Sequence, residues 1–263
     1  MMDNFVDERD YKLLEKDKYV FFVLGRVMGG KCEKLLTDHE KLIICYTCAP
    51  YPVWIWTPNG APKEDMEKAY QIATEQGWLD GAHRFNLKYD VARYFIDRAK
   101  ADGKILSVHT NMYAYSCHEL ISPSVIADGA LYHCGNKDVD ELVEFFDLFY
   151  NEVDVEHNQE EYRMQAETHI NDGNVYFWKD RQGNNVACCR FAPNGNVASI
   201  SLVFTRQEYR RKHYAENLVY QVTEIIKKAG YVPMLYTDAD YAASNACYTK
   251  IGYVLEGKLC TLG

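Results

Sequence analysis

Apolar positions along the chain alternate between a period near two and a period near 3.6, which predicts strands and helices in turn. Over residues 17–28, Val20, Val23, Leu24, Val27 and Met28 are spaced for a helix, although 19–24 alone also reads as a strand. Residues 42–48 and Val53–Trp56 are β-rich runs separated by Ala49-Pro50-Tyr51-Pro52, and predict neighbouring strands. Residues 66–76 and 89–100 predict amphipathic helices that stop near Gly77 and Gly103. Residues 105–109 predict a strand. A boundary is expected near Ser122-Pro123-Ser124, where the pattern restarts, giving two regions, 1–124 and 125–263.

Beyond that boundary, 130–134 reads as a short strand and 138–150 as a helix with Val139, Leu142, Val143, Phe146 and Phe149 on one face. Residues 175–178, 186–191 and 197–204 read as three strands joined by Gly/Asn turns, an antiparallel meander. The next helix carries Ala215, Leu218, Val219, Val222, Ile225, Ile226 and Ala229 on one stripe and stops at Gly230. A strand at 232–237, a helix at 242–251 and a last strand from Tyr253 follow. The class is α/β (α+β).

Composition narrows the function. Apolar residues make up 48% of 263, so each region has enough to build a core. No apolar run reaches the roughly 18 residues of a membrane helix, and the acidic N-terminus lacks a signal-peptide core. A net charge of −9 argues against nucleic acid as a partner. Nine cysteines, odd in number and scattered, read as reduced thiols in a cytoplasmic protein.

Several local patterns carry less than they suggest. Gly25 to Cys32 fits G-x-x-x-x-G-K but ends in a thiol, a poor ligand for Mg²⁺. Cys45-x-x-Cys48 sits in an apparent strand, where i and i+3 side chains point to opposite faces. His109, Cys117, His118, His133 and Cys134 lack paired zinc-ligand spacing, so no metal is expected. The acidic run 152–161 reads as a solvated face.

The strongest constellation is a nearly continuous apolar strand, VASISLVF, running into Arg206-Gln207-Glu208-Tyr209-Arg210-Arg211-Lys212 and then a helix. This loop holds four basic residues and one acid in an acidic protein. Free N–H groups and the positive end of the helix dipole meet it there, which makes an anion site, most naturally for a phosphate or pyrophosphate. Further on, Tyr241 to Tyr253 combines small residues at 242, 243 and 246 with Tyr248, Lys250 and Gly252. Tyr248 is either a core tyrosine or a hydroxyl presented as a proton donor.

Together these segments resemble the GNAT superfamily of acetyl-CoA-dependent N-acetyltransferases, over roughly residues 125–263. The superfamily's phosphate loop, Arg/Gln-x-x-Gly-x-Gly/Ala, is matched by Arg210-Arg211-Lys212-His213-Tyr214-Ala215, with His213 in place of the glycine. Its later motif, Asn-x-x-Ala/Ser-x-x-x-Tyr-x-Lys-x-Gly-Phe/Tyr, is matched at Ser244, Tyr248, Lys250, Gly252 and Tyr253, with Tyr241 in place of Asn.

The resemblance implies a mixed, twisted sheet that splays to hold acetyl-CoA as cosubstrate. The strand backbone at Leu202 and Val203 would pair with the pantetheine. Backbone N–H groups of Arg211, Lys212, His213, Tyr214 and Ala215 would cradle the pyrophosphate with Arg210 beside it, Asn245 would assist, and Tyr248 would be the general acid. A Cβ at His213 is tolerable there if φ is negative. Glu167, His169 and Glu208 are candidate bases, alongside a water relay. The implied reaction is acetyl transfer to a primary amine of a small molecule or peptide; the alternative is a non-catalytic acyl-CoA-binding or regulatory protein. The net acidity favours a cationic acceptor. The resemblance admits a homodimer. Residues 1–124 resemble the reduced GNAT-like half of bacterial tandem members.

Overall fold

The computed structural model describes residues 2–153 and 158–263. Residues 154–157 of the acidic run therefore lie outside the described residues. The chain divides into two compact units: Met1–Tyr115 with Tyr236–Ala242 and Leu255–Gly263, and Ser116–Leu235 with Ala243–Val254. The sequence boundary near 122–124 falls shortly after the 115/116 division.

The first unit opens with α1 (Glu8–Leu14), capped by Asp7 in a capping box with Asp10, and α2 (Phe22–Val27). Three antiparallel strands follow: β1 (Lys34–Thr37), β2 (Ile43–Tyr46) and β3 (Val53–Trp56). Then come α3 (Lys63–Glu75), β4 (Phe85–Leu87, parallel to β3), α4 (Tyr89–Ala101) and β5 (Val108–Ser116). All residues of β2 and β3 are buried because both faces are covered. Ile44, Val53, Ile55, Phe85 and Leu87 meet Met66, Tyr70, Val91 and Phe95 of α3 and α4, while Ile43, Cys45, Trp54 and Trp56 meet Phe21, Leu24 and Met28 around α2.

The segment from Gly25 to Cys32 forms the end of α2 and the loop that leads into β1. A nucleotide-binding phosphate loop needs strand, loop, helix in that order. Here the order is reversed, so this segment is not one. The strand expected at 105–109 begins three residues later, because Ile105 is 93% exposed and outside the sheet.

The second unit contains β6 (Ala130–His133), α5 (Val139–Val153), α6 (Tyr162–Asn171), β7 (Val175–Lys179), β8 (Asn185–Asn194), β9 (Val197–Thr205), α7 (Tyr214–Lys228), most of β10 (Val232–Asp238) and α8 (Ala242–Lys250). Its strand order is β10-β9-β8-β7-β6. The β6–β9 ladders are antiparallel, so the expected meander is present and one strand longer, whereas β10 runs parallel to β9. Phe145 and Phe146 of α5 and Ala166 and Ile170 of α6 pack on Phe177, Cys188, Leu202 and Phe204. From Leu255 on, the last strand, β11 (Val254–Leu262), belongs to the first unit, where it lies between β4 and β5.

Candidate functional site

Strand β9 opens at its C-terminal half for two separate reasons. Its ladder with β10 pairs Val197–Ser199 with Val232–Met234 and stops there, so from Ile200 onward that edge has no ladder partner among the described residues. On the other edge the register with β8 shifts: Cys188 faces Phe204 and Arg190 faces Ser201. Two residues, Leu202 and Val203, therefore stand opposite the single Cys189. This is a β-bulge, with Leu202 at φ 54° in the left-handed region. A bulge bends its strand and breaks the ladder, which leaves backbone at Leu202 and Val203 outside the ladder with β8.

The chain after β9 makes a single 3-10 turn at Gln207–Tyr209 and then enters α7 through Arg210 (φ −68°, ψ 163°), Arg211 (φ 61°) and His213 (φ 63°, ψ 12°). The φ of His213 is positive, contrary to the condition under which its Cβ would be easily tolerated. The backbone thus adopts the conformation for which glycine is suited, and histidine holds it at a cost of about 1–2 kcal/mol. Asn217, only 3% exposed, braces this residue by donating through Nδ2 to the His213 carbonyl (3.0 Å) and the Val125 carbonyl (3.0 Å). The N–H of Asn217 also bonds to His213 O (3.1 Å), while those of Arg211 to Glu216 donate to no backbone carbonyl among the described residues. Six donors thus gather at the positive end of a 15-residue helix.

Side-chain charge is distributed less simply than the sequence implies. Arg206 binds Glu144 (2.6 Å) and Glu141 (2.9 Å) of α5, and its Nε donates to the Asn185 carbonyl. Arg210 donates to the Thr205 carbonyl (3.0 Å) and pairs with Glu152 of α5. Both guanidiniums tie the loop to α5. The loop's two exposed cations are Arg211 and Lys212, the latter 5.2 Å from the Tyr209 ring centroid. The imidazole of His213 stands 3.4 Å from Glu216, a buried carboxylate in the first turn of α7. Tyr214 is anchored through its hydroxyl to Asp128 (2.6 Å); that bond and burial push its phenol up to about 12. Ala215 is half-buried.

Helix α8 is tied to α7. Gly252 ends it at φ 99°, where a Cβ would collide with the Glu119 carbonyl, so only glycine fits. The turn sets Tyr253, whose hydroxyl bonds Thr223 of α7 at 2.8 Å. Tyr248 is 6% exposed, its ring 5.9 Å from that of Tyr253. Asn245, half-buried, lies one turn earlier on the same face. Burial and the charge of Glu216 push the Cys247 thiol up to about 12, so the residue beside Tyr248 feels the first turn of α7.

Of the candidate bases, Glu167 and Glu208 are exposed. His169 accepts from Arg190 Nη1 at Nε2 (2.9 Å), which leaves the proton on Nδ1. Burial and the Arg190 charge lower it to about 4, so it is neutral and its lone pair is engaged.

Sequence reading missed the Leu202 bulge, the Asn217 brace and the α5 carboxylates. The last had a visible signal: Glu141 and Glu144 are spaced i, i+3 on a helix facing a basic loop. Among the described residues, the one group of three with metal-ligating spacing is Asp7, Asp10 and His39. Its donors already serve one another: His39 bonds Asp10 (2.8 Å) and Asp3 (3.1 Å), and Thr37 bonds Asp10 (2.6 Å). No helix among the described residues is long and apolar enough to cross a membrane.

Residues 139–253 match the acetyltransferase (GNAT) family. No curated protein matches the sequence. Solved structures share the fold. A GCN5-related N-acetyltransferase from Sphaerobacter thermophilus matches with a TM-score of 0.71 at 12% identity, over 100% of this chain and 94% of its own. One from Kribbella flavida gives 0.62 at 13%, covering 94% of each chain. A GNAT-family acetyltransferase from Colwellia psychrerythraea gives 0.60 at 11%, over 100% and 98%.

Proposed function

With residues 139–253 a GNAT acetyltransferase domain, we propose that the protein transfers an acetyl group from acetyl-CoA to a primary amine of a small molecule or peptide. The observation that carries this reading is the conjunction, in one unit, of an opened bulged strand and an unsatisfied N–H cradle directly after it. The backbone of Leu202 and Val203 would hold the extended pantetheine arm. The N–H groups of Arg211 to Glu216 would receive the pyrophosphate, with Arg211 and Lys212 adding charge. Arg210 acts at one remove, fixing the loop through Glu152.

Acetyl-CoA brings an activated thioester, so the chain's task is positioning and proton transfer. Tyr248 is the proposed proton donor to the departing sulfur, a phenol and a thiol being close in acidity. His169, with its lone pair engaged, is not the base; a water relay fills that role. The acid excess of the protein favours a cationic acceptor. The second reading, a binding or regulatory module, draws on His213 and Tyr241 standing where the superfamily has Gly and Asn.

The test is calorimetric titration of acetyl-CoA into the parent and into Arg211→Ala/Lys212→Ala. Charge-assisted contacts contribute about 1.5–3 kcal/mol each, so the double variant is expected to bind at least roughly tenfold more weakly. Equal affinity in the two proteins would remove the loop from the site.

A further inference from the structure

Two patterns that the proposed function leaves unused meet in the first unit. Cys32 closes the segment that began at Gly25, and Cys45 opens the C-x-x-C pair. Their sulfur atoms lie 3.3 Å apart. It is Cys32, thirteen residues away, rather than the neighbouring Cys48, whose sulfur meets Cys45. Cys45 is fully buried in the core formed with Leu24, Met28, Trp54 and Trp56, so its position is fixed. Cys32 is half-buried on the loop between α2 and β1, and its thiol lies 3.1 Å from the Val27 carbonyl. A disulfide needs the sulfurs at about 2.05 Å. The remaining approach of roughly an ångström falls to the Cys32 side, which follows Gly29 and Gly30.

We propose that Cys32 and Cys45 form a modification site: a thiol pair that hydrogen peroxide converts to a disulfide within the first unit. Cys32 is the sulfur that peroxide reaches. The Cys32 thiol gives up its proton, its thiolate attacks a peroxide oxygen, the O–O bond breaks, and the departing hydroxide takes up that proton, so the products are a Cys32 sulfenic acid and one water. Cys45 sulfur then attacks Cys32 sulfur, the S–O bond breaks, and the hydroxide leaves with the Cys45 proton as a second water. Two thiols are oxidised and one peroxide is reduced. Burial, then the contact with Cys32, pushes the Cys45 thiol up, so Cys45 is the resolving partner and not the first to react. The pair stands independently of the acetyltransferase reading.

The experiment treats the reduced full-length protein with hydrogen peroxide, blocks remaining thiols with N-ethylmaleimide, and maps unreduced peptides by mass spectrometry. The expected product is a Cys32–Cys45 linked peptide, two hydrogens lighter, at least tenfold more abundant than any other linkage. The melting temperature of the oxidised protein should rise by a few degrees, because a bond across thirteen residues restricts the unfolded chain. In urea-unfolded protein the selectivity should vanish. Cys45→Ser should leave Cys32 as a sulfenic acid that dimedone traps. Should that variant not fold, the parent's peptide map decides alone. A Cys32–Cys48 link in the folded protein, or no linked peptide while Cys32 is oxidised further, would overturn the proposal.

Discussion

At the scale of single residues, strain and charge state separate the groups that can act from those that cannot. Four non-glycine residues among those described have positive φ, and three of them, Leu202, Arg211 and His213, border the candidate site. Backbone strain of this kind persists where surrounding structure enforces it, often at functional positions. The sequence showed that histidine replaces glycine at 213. It could not show that the backbone there remains left-handed, because the Asn217 brace that holds it depends on a tertiary contact with Val125.

His169 makes the stability of the fold depend on pH. Its folded value of about 4 lies below the ordinary 6.5, so the unfolded chain binds the proton more readily. The stability this contributes is present above about 6.5 and is lost as pH falls toward 4. In denaturant titrations across that window, His169→Gln should lose less stability on acidification than the parent does. Parallel curves would show that His169 is protonated in the native state as well.

At the scale of elements, the legible parts are those with strong periodicity on their own. The seven-residue apolar stripe of α7 and the turn-bounded apolar runs of β7 to β9 placed those elements within a few residues of their observed ends. The elements missed are short or weakly patterned: α1, β1, the three-residue β4, and α6, which buries only Tyr162, Ala166 and Ile170. The bulge in β9 has no local marker, since Leu202 and Val203 are ordinary strand residues.

The phosphate cradle owes its shape to the junction of β9, loop and α7, and Asn217 is its side-chain brace. Asn217→Ala removes two hydrogen bonds and leaves two carbonyls without this partner. A loss of about 2 kcal/mol in stability is expected, with acetyl-CoA affinity reduced several-fold at temperatures where the variant stays folded. Reduced stability with unchanged affinity would make Asn217 a packing residue alone.

At the scale of the whole molecule, the fold class and the family matched by residues 139–253 were both legible in the sequence, because the loop and the Tyr248 motif sit where charge and backbone geometry constrain residue choice. How the chain is apportioned between units was not legible. Segments 236–242 and 255–263 join the first unit through strand pairing with residues far away in sequence, as in Cys260 with Leu87. Such pairing depends on register between distant segments, which local patterns do not encode.

Acetyl transfer would release free thiol from acetyl-CoA in an amine-dependent way, and that release is the decisive measurement. The assay runs over a panel of polyamines, aminoglycosides and lysine-containing peptides, with the acetylated product identified by mass. Turnover with at least one amine above the rate of hydrolysis is expected. Tyr248→Phe should show a roughly 10²-fold lower kcat, with acetyl-CoA affinity little changed. Saturable acetyl-CoA binding without amine-dependent thiol release from any member of the panel would contradict it and favour the binding module.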